Sequence, residues 1–119
     1  MDPDSCREGL HVYQGAVYLE ETTENDYCFR VLENSVQVHK EFYESFPKVI
    51  EETTGKDFYC LSKEHFDWYL SKGCKIKKVP VPMVLWDSRM IHDNIAPLAG
   101  RPYSKRWRFV VFVCMAPAI

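Results

Sequence analysis

The chain has 119 residues, of which 46% are hydrophobic and 14% aromatic, so it is long enough for one packed domain and too short for two ordinary ones. Its 15 basic and 17 acidic residues leave a formal net charge of -2, which gives no field strong enough to favour nucleic acid or an anionic membrane as a partner. We therefore expect a single domain over residues 1–119 with no nucleic-acid partner.

Targeting signals and cysteine usage indicate the compartment. No apolar run reaches the roughly 18 residues of a membrane helix, and the N-terminal MDPDSCREGL lacks the basic and apolar regions of a secretion signal. The five cysteines form no Cys-x-x-Cys pair, which favours small buried residues or surface thiols over a zinc or redox motif. We expect no membrane span and a reduced, cytoplasmic protein. The cysteines are Cys6, Cys28, Cys60, Cys74 and Cys114.

The first predicted strand is LHVYQGAVYLE, residues 10–20, which is rich in valine and tyrosine. Its apolar side chains fall on both faces, a pattern typical of a strand covered on both sides. The polar segment ETTEND ends this strand, and YCFRVL predicts a short second one. One face of the first strand carries Val12, Ala16 and Tyr18, and the other carries Tyr13, Val17 and Leu19.

Two amphipathic helices are predicted next, as a helical insertion over about residues 36–72. Asn34 or Ser35 can cap the first helix, which Pro47 ends. The second begins near Ser62 and stops at Gly73, a residue suited to the left-handed conformation. The apolar positions of the first helix are Val38, Phe42 and Phe46. His39 and His65 lie in these helices and are interpreted as surface or packed residues and not as ligands.

The last third of the chain is rich in strands, predicted in CKIKKVPV, PMVLWDSRMIH and RWRFVVFVCM. The final strand is apolar on both faces apart from its arginines. A guanidinium at the mouth of such a strand needs an anionic partner, because a buried unpaired charge is costly. Arg106, Arg108, Val110, Phe112 and Cys114 share one face of this strand.

His92 is the residue most open to a chemical role. It ends a predicted strand in which Val84, Trp86, Ser88, Met90 and His92 share one face. The connection over residues 93–105 would return the chain so that the last strand runs beside this one. His92 and Arg108 would then approach one pocket. From the residues alone the histidine is first a structural group bonding a loop carbonyl, with a metal ligand and an acid/base group as alternatives, and the later arginine strengthens the metal-ligand alternative.

The segments GLHVYQGAVYLEE, HFDWYLSKGCKIKKVPVPMVLWDSRMIH and RWRFVVFVCMAP resemble the phytanoyl-CoA dioxygenase-like proteins, which are iron(II)- and 2-oxoglutarate-dependent oxygenases. The resemblance covers nearly the whole chain and corresponds to the C-terminal part of that family. It implies a mainly β, α+β fold with helical insertions: a double-stranded β-helix, or jelly roll, incomplete at its N-terminus. It also implies hydroxylation of an organic substrate coupled to decarboxylation of 2-oxoglutarate to succinate.

The resemblance also implies roles for individual residues. His92 corresponds to the distal iron ligand, and Arg108, with Arg106 and Arg101 as alternatives, to the arginine that pairs with 2-oxoglutarate. Asp2 stands where the aspartate of the family's His-x-Asp pair would, but the chain has no histidine before Met1. We therefore expect weak or absent iron binding and impaired activity. The expected walls of the substrate pocket are Tyr13, Gln14, Tyr18 and Trp86.

A second interpretation belongs to a different class of protein. A jelly roll that lacks its early strands would expose sheet edges, and such edges promote pairing with another copy or a partner. The chain would then be a non-catalytic binding or self-associating module. A small-molecule or lipid-like substrate fits the oxygenase interpretation, but the fold does not identify it, because similar folds handle many substrates.

Overall fold

The computed structural model describes residues 12–56, 59–102, 105 and 107–116. Within them the chain forms six strands and three helices, arranged as two sheets and one helical layer. The elements in chain order are β1 (Tyr13–Tyr18), β2 (Cys28–Glu33), α1 (His39–Ser45), α2 (Lys48–Thr53), α3 (Lys63–Ser71), β3 (Lys75–Lys78), β4 (Met83–Asp87), β5 (His92–Ile95) and β6 (Val110–Met115).

The strands form two antiparallel three-stranded sheets. Sheet A has the order β4-β1-β6 and sheet B the order β3-β2-β5. The sheets pack against each other around a core of four buried residues, which are Ala16, Tyr18, Phe29 and Trp86. The rings of Phe29 and Trp86 join the two sheets directly, with centroids 4.6 Å apart. This inter-sheet core is the floor of the candidate site.

A second core lies between sheet B and the helices. Successive residues of a strand point to opposite faces, so the side chain of Leu32 lies on the face of sheet B that is turned away from sheet A. There it packs with Phe42 of α1 and Tyr69 of α3. The described chain is thus a layer of helices, then sheet B, then sheet A. This confirms the mainly β, α+β class, whereas the jelly-roll topology stays a prediction.

The ends of the helices agree in part with those predicted from the sequence. Ser62 caps α3 by accepting a hydrogen bond from the N–H of His65, and Gly73 follows the helix with a φ of 86°. The predicted cap of the first helix is wrong: α1 begins after Val38 without a side-chain cap, and Asn34 occupies a left-handed turn with a φ of 67°. Pro47 ends α1 and directly precedes the short α2, which was not predicted.

The predicted strand over residues 82–92 is in fact two strands in different sheets. β4 ends at Asp87, whose carboxylate accepts hydrogen bonds from the backbone and the guanidinium of Arg89 in the following turn. β5 begins at His92 and pairs with β2. The last strand also has another neighbour than expected, because β6 runs beside β1. An alternating pattern that continues through a tight turn gives no sign that the strand has changed sheet.

The expectation that β1 is covered on both faces is also wrong for the described chain. Ala16 and Tyr18 are buried towards sheet B, but Tyr13 on the other face is 50% exposed. We call the surface on the Tyr13 side the outer face of sheet A. None of the described helices is long and apolar enough to cross a membrane, and the nine-residue α3 is the longest of them.

Candidate functional site

The inner face of sheet A supplies one wall of the candidate site. In antiparallel sheets, directly opposed residues share a face. Gln14 lies opposite both Trp86 on β4 and Cys114 on β6, and Tyr18 lies opposite Val110. The indole Nε1–H of Trp86 donates to Oε1 of Gln14 over 2.9 Å, which fixes the orientation of both side chains.

Sheet B supplies the opposite wall through β5. His92 and Asn94 are paired with Val31 and Phe29 and therefore share their face, which looks towards sheet A. The imidazole of His92 packs against Trp86, with ring centroids 5.0 Å apart, and against Phe29 at 5.6 Å. The exposed imidazole of His92 thus packs against two aromatic rings.

The tautomer of His92 follows from its hydrogen bond. Nδ1 lies 2.9 Å from the carbonyl oxygen of Met90, which can only accept, so Nδ1 carries the proton. In the neutral imidazole, Nε2 is then left with a lone pair. Histidines that bind metals are commonly oriented in this way, by donating their other N–H to a backbone carbonyl.

The segment just before His92 is anchored by β2 and the turn after it. Ser35, which is fully buried, accepts a hydrogen bond from the N–H of Ile91 over 3.1 Å. The carbonyl of Ile91 in turn accepts from the N–H of Leu32 over 2.8 Å. These bonds hold the backbone whose carbonyl at Met90 orients the imidazole, so His92 is positioned by the fold and not by a mobile loop.

Arg108 reaches the same space from the residues that precede β6. Its Nη2 donates to the hydroxyl of Tyr18 over 2.8 Å and to Oδ1 of Asn94 over 2.9 Å. The guanidinium carbon also lies 4.7 Å from the centroid of the Tyr18 ring. The Nε atom is buried and makes no hydrogen bond, and no carboxylate of the described residues forms an ion pair with this guanidinium.

The electrostatics of Tyr18 reflect this neighbour. Burial raises the pKa of the Tyr18 hydroxyl above its ordinary value, and the charge and hydrogen bond of Arg108 oppose part of that rise. The phenol therefore stays neutral at physiological pH. The neutral hydroxyl of Tyr18 accepts a hydrogen bond from the guanidinium but does not neutralise its positive charge.

Asn94 on β5 connects the positions of His92 and Arg108. His92 and Asn94 are alternate residues of β5, and alternate residues of a strand are separated by about 7 Å. Asn94 accepts a hydrogen bond from Arg108, so the guanidinium lies beside the stretch of β5 that begins with His92. A groove of about 1080 Å³ adjoins the imidazole and is lined there by Gln14, Met90 and His92.

Asp93 follows His92 in sequence but belongs to the other face of sheet B. Its carboxylate accepts two hydrogen bonds from Arg30, at 2.8 and 2.6 Å. This two-pronged ion pair raises the pKa of Arg30. Asp93 is therefore engaged by β2 and does not complete a ligand set with His92. Within the described part of the chain, no group of three His, Cys, Asp or Glu side chains is placed to hold a metal ion.

The predicted site residues divide into three groups. Gln14, Tyr18, Trp86, His92 and Arg108 converge between the sheets. Tyr13 points to the outer face of sheet A, and Arg101 lies exposed in the loop before β6. Asp2 and Arg106 lie outside the described residues.

Three contributors were missed by the sequence reasoning. Asn94 is the most informative, since it stands two residues after His92 and must share its face if the strand continues. The predicted strand ended at His92, so the predicted face did not extend to Asn94. Phe29 and Ser35 carry no comparable signal, because their contacts join segments far apart in sequence.

No family model, curated protein or solved structure matches the chain.

Proposed function

We propose that the chain is an iron(II)- and 2-oxoglutarate-dependent dioxygenase-like domain whose pocket binds the distal carboxylate of 2-oxoglutarate at Arg108. One observation carries the proposal. The Arg108 guanidinium is held by two neutral groups, Tyr18 and Asn94, has a buried Nε without a partner, and forms no ion pair with a described carboxylate. An anionic ligand would supply the opposite charge that the described residues do not provide.

The metal end of the proposed site is His92. Its Nδ1–H is bonded to a carbonyl, which leaves Nε2 suited to bind a divalent metal facing the pocket. When iron is bound, it supplies activation of dioxygen for hydroxylation of an organic substrate. Within the described residues, His92 is not joined by two further His, Cys, Asp or Glu side chains placed to hold a metal ion, so we propose weak metal binding and impaired activity for the chain.

The proposed substrate end lies beside His92. Gln14 and Trp86 form one wall beside His92, and the groove next to them has room for a small organic molecule. The groove walls combine apolar side chains with polar ones, among them Val12, Arg30, Tyr43, Phe66 and Met90. This mixture suits an amphipathic small-molecule or lipid-like substrate.

Calorimetric titration with 2-oxoglutarate, in the presence and absence of manganese(II), tests the proposal. Arg108→Gln removes the charge while keeping a side chain of related length. Charge-assisted hydrogen bonds are worth about 1.5–3 kcal/mol, so the variant should bind 2-oxoglutarate at least about 10-fold more weakly. The matched control is Lys77→Gln, which removes an exposed charge on β3, and it should leave the affinity unchanged.

The same titration discriminates between the alternative arginines. Arg101→Gln should leave the affinity unchanged if Arg108 holds the carboxylate. Equal affinity of the wild-type protein and Arg108→Gln would refute the assignment. A selective loss in Arg101→Gln would transfer the role to that loop residue.

A further inference from the structure

The outer face of sheet A is an unusually large apolar surface. Directly opposed residues show that alternate positions of β1, β4 and β6 share this face. Met83 is 61% and Leu85 58% exposed, six further side chains of this face are 42–63% exposed, and Val17 is half-buried. The face carries Tyr13 and Val17 from β1, Leu19 directly after it, Met83 and Leu85 from β4, and Phe109, Val111, Val113 and Met115 from the β6 region.

The extent of this surface exceeds that of an ordinary monomer. Nine side chains, most of them about half exposed, present roughly 700–800 Å² of apolar area, whereas the largest apolar patch of a typical monomer covers about 300–600 Å². Each partner in a stable interface of standard size contributes about 800 Å². The outer face of sheet A therefore has the area that a stable homodimer needs.

The opposite side of the described chain is not comparable. Sheet B is covered by α1 and α3, which bury Leu32 and Tyr69 in their own core. Sheet A has no such layer over it within the described residues. Two sheets stack face to face at a spacing of about 10 Å, so a second sheet of matching size could cover this surface as the helices cover sheet B.

The charges favour a second copy over a membrane as the occupant. Membrane-docking surfaces combine apolar side chains with lysine or arginine, but the strands of sheet A contain neither residue. The segments beside the strands carry charges of both signs, since Glu20 and Glu21 follow β1 and Lys105, Arg106 and Arg108 precede β6. Two copies of the face would meet with no charged side chain at the centre of the interface. The carboxylate of this face, Asp87, lies at the end of β4 and pairs with Arg89.

We infer that the outer face of sheet A is a homodimer interface, in which two copies of the chain stack their sheets about a twofold axis. A twofold axis brings the same surface of each copy together, so one apolar face is enough to build a closed dimer. The contact is between faces, which distinguishes it from the pairing of sheet edges. The inference is independent of the proposed oxygenase site, which lies on the opposite face of the same sheet.

Sedimentation equilibrium of the full chain tests the inference. The 14.0 kDa chain should sediment as a dimer, with twice that mass, at concentrations of about 10–100 µM. Leu85→Arg and Val113→Arg each place a charge in the middle of the face and should weaken dimerisation at least about 100-fold. Leu70→Arg on α3 is the matched control, since Leu70 is a similarly exposed leucine of the helical layer, and it should remain dimeric.

Circular dichroism and urea unfolding keep the test informative, because both arginine variants should fold as monomers with an exposed charged face. A monomeric wild-type protein over the whole concentration range would overturn the inference. So would a dimer that persists in folded Leu85→Arg and Val113→Arg, since edge pairing would then hold it. Binding of the wild-type chain to anionic vesicles that is lost in Leu85→Arg would also overturn it, in favour of a membrane surface.

Discussion

Arg108 shows how a single residue connects the sequence pattern to chemistry. Its position at the head of an apolar strand predicted a charge that needs an anion, and the structure adds the groups that orient it, Tyr18 and Asn94. The alternation of side chains was enough to find Arg108 and His92. It could not reveal Tyr18 as a partner of Arg108, because that contact joins residues 90 positions apart.

Tyr18→Phe tests how far the guanidinium depends on its neutral partner. The variant keeps the ring beside Arg108 but removes the hydroxyl that accepts its hydrogen bond. A hydrogen bond contributes about 0.5–1.5 kcal/mol, so calorimetry should show a loss of 2-oxoglutarate affinity of about 2–10-fold, smaller than that of Arg108→Gln. A loss as large as that of Arg108→Gln would mean that Tyr18 touches the ligand itself.

Metal binding at His92 should be visible without turnover. Trp86 packs against the imidazole, so manganese(II) at Nε2 should quench part of the tryptophan fluorescence. The quenching should saturate at millimolar metal and disappear in both His92→Ala and Trp86→Phe. Trp68→Phe is the control, because Trp68 lies in the helical core and its loss should leave the metal-dependent change in place. Quenching that persists in His92→Ala would locate the metal elsewhere.

The turn between β4 and β5 is the element whose sequence was most misleading. The apolar alternation continues from β4 to His92, but Asp87 closes a turn around Arg89 and sends the chain into the other sheet. The hydrogen bonds and charge of Arg89 lower the pKa of Asp87. An aspartate followed by serine is a turn signal. The prediction followed the alternation of apolar residues instead and therefore gave one continuous strand.

Asp87→Asn tests this turn through its pH dependence. The folded-state pKa of Asp87 lies below its ordinary value of 3.8, so the ionised carboxylate stabilises the fold above that value. This contribution is lost as the pH falls below 3.8 through the lowered folded value. At neutral pH the variant should be about 1–2 kcal/mol less stable in urea unfolding, with the difference vanishing in acid. A stability difference that does not change with pH would exclude the carboxylate as its cause.

Phe42 contributes more to the stability of the helical layer than any capping interaction does. Phe42 is buried and contacts the rings of Phe46, Trp68 and Tyr69. Phe42→Ala should lower the free energy of unfolding by about 3–5 kcal/mol, as is usual for a buried phenylalanine. Leu70→Ala, on the exposed side of α3, should change it by about 0.5 kcal/mol or less. Similar losses in both variants would mean that the helices are not packed as described.

At the scale of the whole molecule, sheet A has two faces with different tasks. Its inner face carries the candidate site, and its outer face is apolar and open. The sequence predicted apolar residues on both faces of β1 and β6 and therefore a covered sheet. Periodicity reports that a face is apolar, but it cannot state what covers it, which depends on how much other chain is present to pack there.

The two proposals are separable because they use opposite faces. Leu85→Arg should abolish dimerisation while leaving the 2-oxoglutarate affinity within about twofold of wild type, since additivity holds for sites that share no partners. Arg108→Gln should show the reverse pattern. A joint loss of both properties in a folded Leu85→Arg protein would show that the pocket depends on the second copy.

The most direct test of the central claim is a crystal structure with manganese(II) and 2-oxoglutarate. The proposal predicts that the distal carboxylate accepts hydrogen bonds from Arg108 at about 2.7–2.9 Å, with the 2-oxo acid end turned towards Nε2 of His92. Density for 2-oxoglutarate away from Arg108, or an Arg108 guanidinium occupied by another carboxylate of the chain, would contradict it.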